Sequence, residues 1–407
     1  MTDPSPAGQH TLRRHNSTLV LRAVLDAPGI SRSAIATHTG LAKATVSSLV
    51  DRLIAADLVA ETGLVVRPGR GRRSTGLAPS GTGPHGLGVE IGVDYLATCL
   101  VDLTGRMHDH RVRPGDNRAR SVPRVLAAVA RAVNTALKDA RARGVPVGGI
   151  GIAVPGLVES ATGRLRLAPN LGWRELDIVA AVRARIDRPG LPLLLGNEAD
   201  FAAAAELGAA GADGPHDFIL VSGEIGIGAG LVVDSRPFPG VGGFSGEIGH
   251  LTVDPAGPEC ACGSRGCLEL LAGLDWIMRE AGVWQAEPGD RPPAETLAKL
   301  IDRLRADDHV ALRAVRTAGR WLGVALSSVI NVVDLPCVVL GGSYAALEPW
   351  LRDALRAELD RRVITSAWAP VRIAASTLGA SAAVRGAGAA PVQAILADPD
   401  AYLTAEV

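Results

Sequence analysis

Residues 247–269 concentrate more reactive side chains than any other part of the sequence: Glu247-Ile-Gly-His250, nine intervening residues, then Cys260-Ala-Cys262-Gly-Ser-Arg-Gly-Cys267-Leu-Glu269. One imidazole and three thiols at this spacing can close a tetrahedral zinc site with no open coordination position, a centre that holds a fold together and does not hydrolyse anything. Ligands this close need a backbone that doubles back, and Gly263 and Gly266 supply that freedom. Ordinary reduced thiols or a disulfide are the alternatives. The first residues contain no apolar signal core, so a reducing, cytoplasmic setting is expected and metal is favoured over a disulfide. Cys99 and Cys337 lie apart in apolar runs and are expected in the core.

Formal charge balances at 42 basic against 42 acidic residues, but the balance is uneven along the chain. Residues 13–73 hold ten Lys or Arg against four Asp or Glu, a basic head that suits a polyanion. Within it, a helix is expected over 16–25, on the spacing of Leu19, Val20, Ala23 and Val24. Ser31 reads as the N-cap of a short helix over 32–39 that stops at Gly40. A third helix runs from Lys43 to about Asp57 with Val46, Leu49, Val50, Leu53 and Ile54 on one face. Two helices joined by a tight turn form a helix-turn-helix, whose second member can enter a major groove. Its outward positions Lys43, Thr45, Ser47 and Ser48 are candidates for base edges and phosphates. Residues 58–66 read as a hairpin whose second strand ends in Arg67, Arg70, Arg72 and Arg73, a wing suited to phosphates or a narrow minor groove.

Residues 12–75 are thus expected as a winged helix-turn-helix and the Gly- and Pro-rich residues 76–86 as a linker. Residues 87–390 are expected as an α/β body, on strands near 87, 95, 149, 193, 218 and 337 alternating with helices such as 122–143. No run of about eighteen apolar residues suggests a membrane span.

The thiol element and the preceding winged head together resemble the ROK family of repressors and sugar kinases. The resemblance covers nearly the whole chain. It implies a two-lobed, actin-like, sugar-kinase-like body with His250, Cys260, Cys262 and Cys267 as zinc ligands. It also maps sugar contacts onto Asn170, Asn197, Glu198, Glu247, His250 and Glu269, with His250 coupling metal to ligand through its two ring nitrogens.

Kinases of that family carry three motifs from which this sequence departs. The first phosphate loop reads Glu90-Ile-Gly92-Val-Asp94, which places a carboxylate where a small hydroxyl would meet phosphate. Two like charges about 4 Å apart cost on the order of 4 kcal/mol near a protein surface. The second reads Glu224-Ile-Gly226-Ile-Gly228, an anion in a loop that should present bare N–H groups. Glu198 stands where an aspartate base is expected, and an extra methylene misplaces the carboxylate by about 1 Å, enough to cost roughly a hundredfold in rate. The expected function is therefore a DNA-binding transcriptional regulator, a repressor, that senses a sugar without modifying it. Its expected partners are a double-stranded operator, a sugar-derived effector, and further copies of the chain as a dimer or dimer of dimers. An ATP-dependent hexose kinase with a DNA-binding head is the alternative. Residues 391–407 carry no functional signal.

Overall fold

The computed structural model describes residues 9–65, 74–211, 214–223, 226–285 and 295–405. Three helices open the chain: α1 (Gln9–Asp26), α2 (Arg32–Thr39) and α3 (Lys43–Ala55). Ser31 caps α2 by accepting from Ala34 N, and Gly40 ends it in the left-handed region. Val20, Leu21, Val24, Ile35, Val46, Val50 and Leu53 pack together, so Leu21 takes the core position expected of Leu19.

The wing differs from expectation. Within residues 58–66, expected as a hairpin, a single strand β2 (Val59–Val65) forms, and β3 (Ser74–Pro79) returns antiparallel to it, with short β1 (Ile30–Ser31) on the other side of β3. Gly63, at φ +91°, marks an irregularity in register between Glu61 and Leu64, so its freedom makes a bulge rather than a reversal. Arg67, Arg70, Arg72 and Arg73 lie outside the described residues. The linker expected over 76–86 is correspondingly shorter: residues up to 79 complete the wing and His85 already begins the body sheet, leaving 80–84 as connector.

The body repeats one sheet plan twice. Strands β4 (His85–Ile91), β5 (Tyr95–Val101) and β6 (Met107–Pro114) form an antiparallel meander, after which β7 (Val147–Val154) joins parallel to β4. A small sheet of β8 (Leu157–Glu159), β9 (Arg164–Ala168) and β10 (Trp173–Leu176) follows, and β11 (Leu193–Asn197) then extends β7 in parallel. In the second lobe β12 (Phe218–Gly223), β13 (Ile227–Val233) and β14 (Arg236–Pro237) form the meander, while β15 (Cys337–Gly341) and β16 (Arg372–Ala375) add in parallel. The orders β6-β5-β4-β7-β11 and β14-β13-β12-β15-β16 are topologically the same, the duplicated arrangement of a two-lobed sugar-kinase-like fold. The central strands are almost wholly apolar, as expected where helices cover both faces.

Between the lobes runs the helix Ala382–Ala397. A Cβ on Gly88 would lie 2.2 Å from Val384 O, and one on Gly386 would lie 1.8 Å from Phe201 O, so backbone meets backbone on both sides of this helix. Its far end carries Val392, Ile395 and Leu396 into the core of the head. The last helix, Pro399–Ala405, completes the joint. Buried Asp400 accepts from Ser17 Oγ on α1 and from Arg52 on α3, both at 3.0 Å, and Asp398 pairs with Arg14. The terminal segment thus holds the head on the body, a role its sequence alone does not advertise.

Candidate functional site

The thiol element folds as a knot of short turns between β14 and the helix Glu269–Ala272. His250 ends a single 3-10 turn, Ile248–His250, and Cys267 bridges back to Thr252. Gly266 sits at φ +61° with the position of a Cβ only 1.6 Å from Asp254 O, so this corner admits no side chain. The ligand atoms of His250, Cys260, Cys262 and Cys267 all fall within 4.8 Å of one another. Cys262 Sγ lies 3.6 Å from Cys267 Sγ, and Cys260 Sγ lies 3.9 Å from His250 Nδ1. These sulfurs are too far apart for a disulfide and are free thiols. Two sulfurs bound to one zinc at about 2.3 Å would be roughly 3.8 Å apart, so the set has the size of a tetrahedral site. Burial pushes the Cys260 and Cys267 thiols up, while a backbone hydrogen bond from Ser264 draws Cys262 down. A cation among them would favour all three thiolates.

Glu269 lies between this cluster and Gly226. Its Oε1 lies 3.3 Å from both Cys260 Sγ and His250 Nδ1, while Oε2 faces Gly226. Asn170, on the 3-10 turn Pro169–Leu171, points its Nδ2 at the same glycine from the first lobe. Asn170, Glu269 and His250 are therefore brought near one another across the two lobes. Glu198 is the first residue of α6 (Glu198–Ala209) and Glu247 immediately precedes the His250 turn.

Asn197 has structural partners of its own. Its Oδ1 accepts from Ala199 N and Asp200 N, and its Nδ2 donates to Gly156 O at 2.9 Å. Asn197 thus caps α6 and ties its start to the first lobe. The residue missed is Asp200, one turn along, whose carboxyl is pushed up to about 7 by burial and then by the charge of Glu247. Its place in Asn197-Glu-Ala-Asp200, beside the suspected base position, was the available signal.

The first phosphate loop is closed from within. Buried Glu90 accepts from Tyr95 OH, and fully buried Asn117 donates Nδ2 to the carbonyls of Gly92 and Tyr95 at 2.8 and 2.9 Å. Asp94 is exposed at the tip of this turn. Glu224 and Ile225 of the second loop lie outside the described residues.

A profile described as the ROK family matches residues 86–393, three quarters of the chain. The chain belongs to the ROK family. Ahead of that ROK body, residues 14–73 match the MarR family, a MarR-type winged helix. The xylose repressor of Bacillus spizizenii is 30% identical over 383 residues, covering 93% of this chain and 95% of that repressor. The solved structure of a ROK family transcriptional regulator, a homologue of the Escherichia coli MLC protein, is 25% identical with a TM-score of 0.78, covering 95% of this chain and 97% of that one. A ROK family glucokinase from Streptomyces griseus, solved with glucose and AMPPNP, is 27% identical with a TM-score of 0.63, but covers only 75% of this chain while 98% of the kinase is matched.

On α3 of the head, Lys43, Thr45 and Ser48 are exposed and Ser47 is half-buried, while Val46, Leu49, Val50 and Leu53 are buried. Arg32 on α2 binds Asp51 on α3 and Glu61 on the wing at 2.8 and 2.9 Å, fixing the three elements against each other. Among the described residues, no helix is long and apolar enough to cross a membrane.

Proposed function

We propose that this ROK protein is a cytoplasmic transcriptional repressor of carbohydrate genes, in which a sugar bound between the body lobes changes how the winged head meets its operator. The observation that carries this reading is the extent of likeness: regulators match head and body together, whereas the glucokinase matches the body alone. Lys43, Thr45, Ser47 and Ser48 face the DNA, with Arg70, Arg72 and Arg73 of the wing on its backbone. Two copies of the chain present two heads to a pseudo-palindrome with half-sites about one helical turn, or a multiple, apart.

Asn170, Glu198, Glu247, His250 and Glu269 accept and donate hydrogen bonds to sugar hydroxyls, and Asn197 sets α6 for them. His250, Cys260, Cys262 and Cys267 hold a structural zinc, whose chemistry is confined to fixing the loop that carries His250 and Glu269. The metal thereby orders one wall of the pocket. ATP turnover is not expected, because Glu90 is held by Tyr95 and a further carboxylate, Asp94, tips the loop that would cradle phosphate. A ligand moves an equilibrium only by its differential affinity for two states, so the effector must bind the closed and open lobes unequally.

Gel-shift titration against the chain's own promoter region, with and without a sugar panel beginning at xylose, tests the proposal. Sequence-preferring binding that weakens steeply with salt and responds to one sugar supports it. ADP release with any hexose under millimolar ATP, with no preference among DNA sequences, would replace it by the kinase reading.

A further inference from the structure

Far from the thiol cluster, two imidazoles and a carboxylate converge at the seam between head and body. His85 opens β4 and is 5% exposed, Asp102 follows β5 and is 3% exposed, and His108 lies on β6. One ligand atom from each lies within 4.8 Å of the others, and the two imidazole centroids are 5.5 Å apart. We propose that His85, Asp102 and His108 form a second metal site, taking a divalent transition ion such as zinc, cobalt(II) or nickel(II) and leaving one coordination position open.

The donor set selects the ion class. Imidazole nitrogens suit zinc, nickel and cobalt, whereas calcium and magnesium require an all-oxygen shell. Each donor is also held for the purpose. His85 Nδ1 lies 2.8 Å from Gly83 O, and a carbonyl can only accept, so the proton sits on Nδ1 and Nε2 is left with its lone pair. Asp102 Oδ1 accepts from Thr104 N, Thr104 Oγ1 and Arg106 N at 2.8, 2.6 and 3.1 Å, which locks the carboxylate and reserves Oδ2 for the cluster. Outer contacts of this kind, to a backbone carbonyl behind the imidazole and hydrogen-bond donors behind the carboxylate, accompany metal ligands generally. His108 Nε2 faces Asp102 Oδ2 at 2.7 Å. Ligand atoms around an ion at about 2.1 Å stand roughly 3.4 Å apart, so His108 must withdraw by less than about 1 Å. Its side chain is 35% exposed, which permits that movement and gives the ion a way in.

The position makes the site more than ornamental. The connector that carries Gly83 is pressed on the head: a Cβ there would be 2.0 Å from Asp57 O and 2.8 Å from Leu103, itself part of the head's core. Ser80 and Thr82 hydroxyls grip the Asp57 carboxylate. An ion tying His85 to Asp102 and His108 would pin the body end of that connector to the sheet.

The test uses the full-length protein brought to one zinc per chain, held by the thiol cluster, and titrated with cobalt(II), followed by desalting, metal analysis and visible absorption. One added cobalt per chain is expected, with ligand-field bands but no near-ultraviolet thiolate-to-cobalt band. His108→Ala and the more conservative His108→Gln should each weaken this binding at least tenfold while the melting curve of the zinc-loaded chain is kept. The proposal fails if no cobalt is retained, if the retained cobalt shows the thiolate band of zinc replacement, or if both variants bind as the parent does.

Discussion

Replacing Asp200 by asparagine should stabilise this protein at alkaline pH and do little at acid pH. Burial and the neighbouring Glu247 raise this carboxyl from an ordinary 3.8 to about 7. Between those values the unfolded chain has lost a proton that the native chain keeps, so native stability falls as pH rises through the window and levels off above it. At about 1.4 kcal/mol for each pH unit between them, the two values set a ceiling of about 4 kcal/mol on the cost at high pH. Asp200 lies in the first turn of α6, where the helix terminus favours an anion by up to about 1 kcal/mol, leaving about 3. Asparagine keeps the shape and never ionises. Urea unfolding of parent and Asp200→Asn, followed by tryptophan fluorescence at pH 5 and pH 8, should show the variant's advantage growing by about 2 kcal/mol. Comparison at equal pH cancels any loss of thiolate-bound metal at pH 5. Parallel stabilities at both pH values would refute the view that a costly buried charge sits beside the pocket.

Other outcomes are equally specific. Cys262→Ser, or prolonged chelation, should lower the melting temperature sharply and release the thiol-bound metal; an unchanged transition in the chelated protein would count against that centre. Asp400→Ala leaves Arg52 and Ser17 without their buried partner and should cost about 3 kcal/mol at the head–body joint, seen as faster hydrogen exchange in α1 and α3 with the second lobe unaffected. Uniform exchange would deny the terminal helix its anchoring role. Lys43→Ala should weaken operator binding and flatten the log–log salt dependence by about one unit if the ammonium neutralises one phosphate. An unchanged slope would remove Lys43 from the interface.

Local chemistry made much of this molecule readable in advance. Ser31 and Gly40 bracket α2 because capping is decided within a few residues, and the thiol cluster announced itself because its ligands lie close in sequence. The wing misled because Thr62-Gly63 satisfies two geometries, a turn and a bulge, and only pairing with β3 decides between them. Asn197 likewise has a side chain fit both to bind sugar and to cap a helix, and its bond to Gly156, some forty residues earlier, is one that no local pattern shows. The Asp400 joint to Ser17 and Arg52, and the His85–Asp102–His108 cluster, are products of long-range folding and leave no local pattern.

The contact of the helix Ala382–Ala397 with its surroundings has one further consequence. At Gly88 and Gly386 it meets its neighbours through main-chain atoms, with no rotamer available to take up slack. A displacement of α6 at Phe201 would therefore press directly, as on a rod, on the helix that carries Val392, Ile395 and Leu396 under the head. Even a methyl group added at Gly386 would stand 1.8 Å from Phe201 O and force α6 and this helix apart.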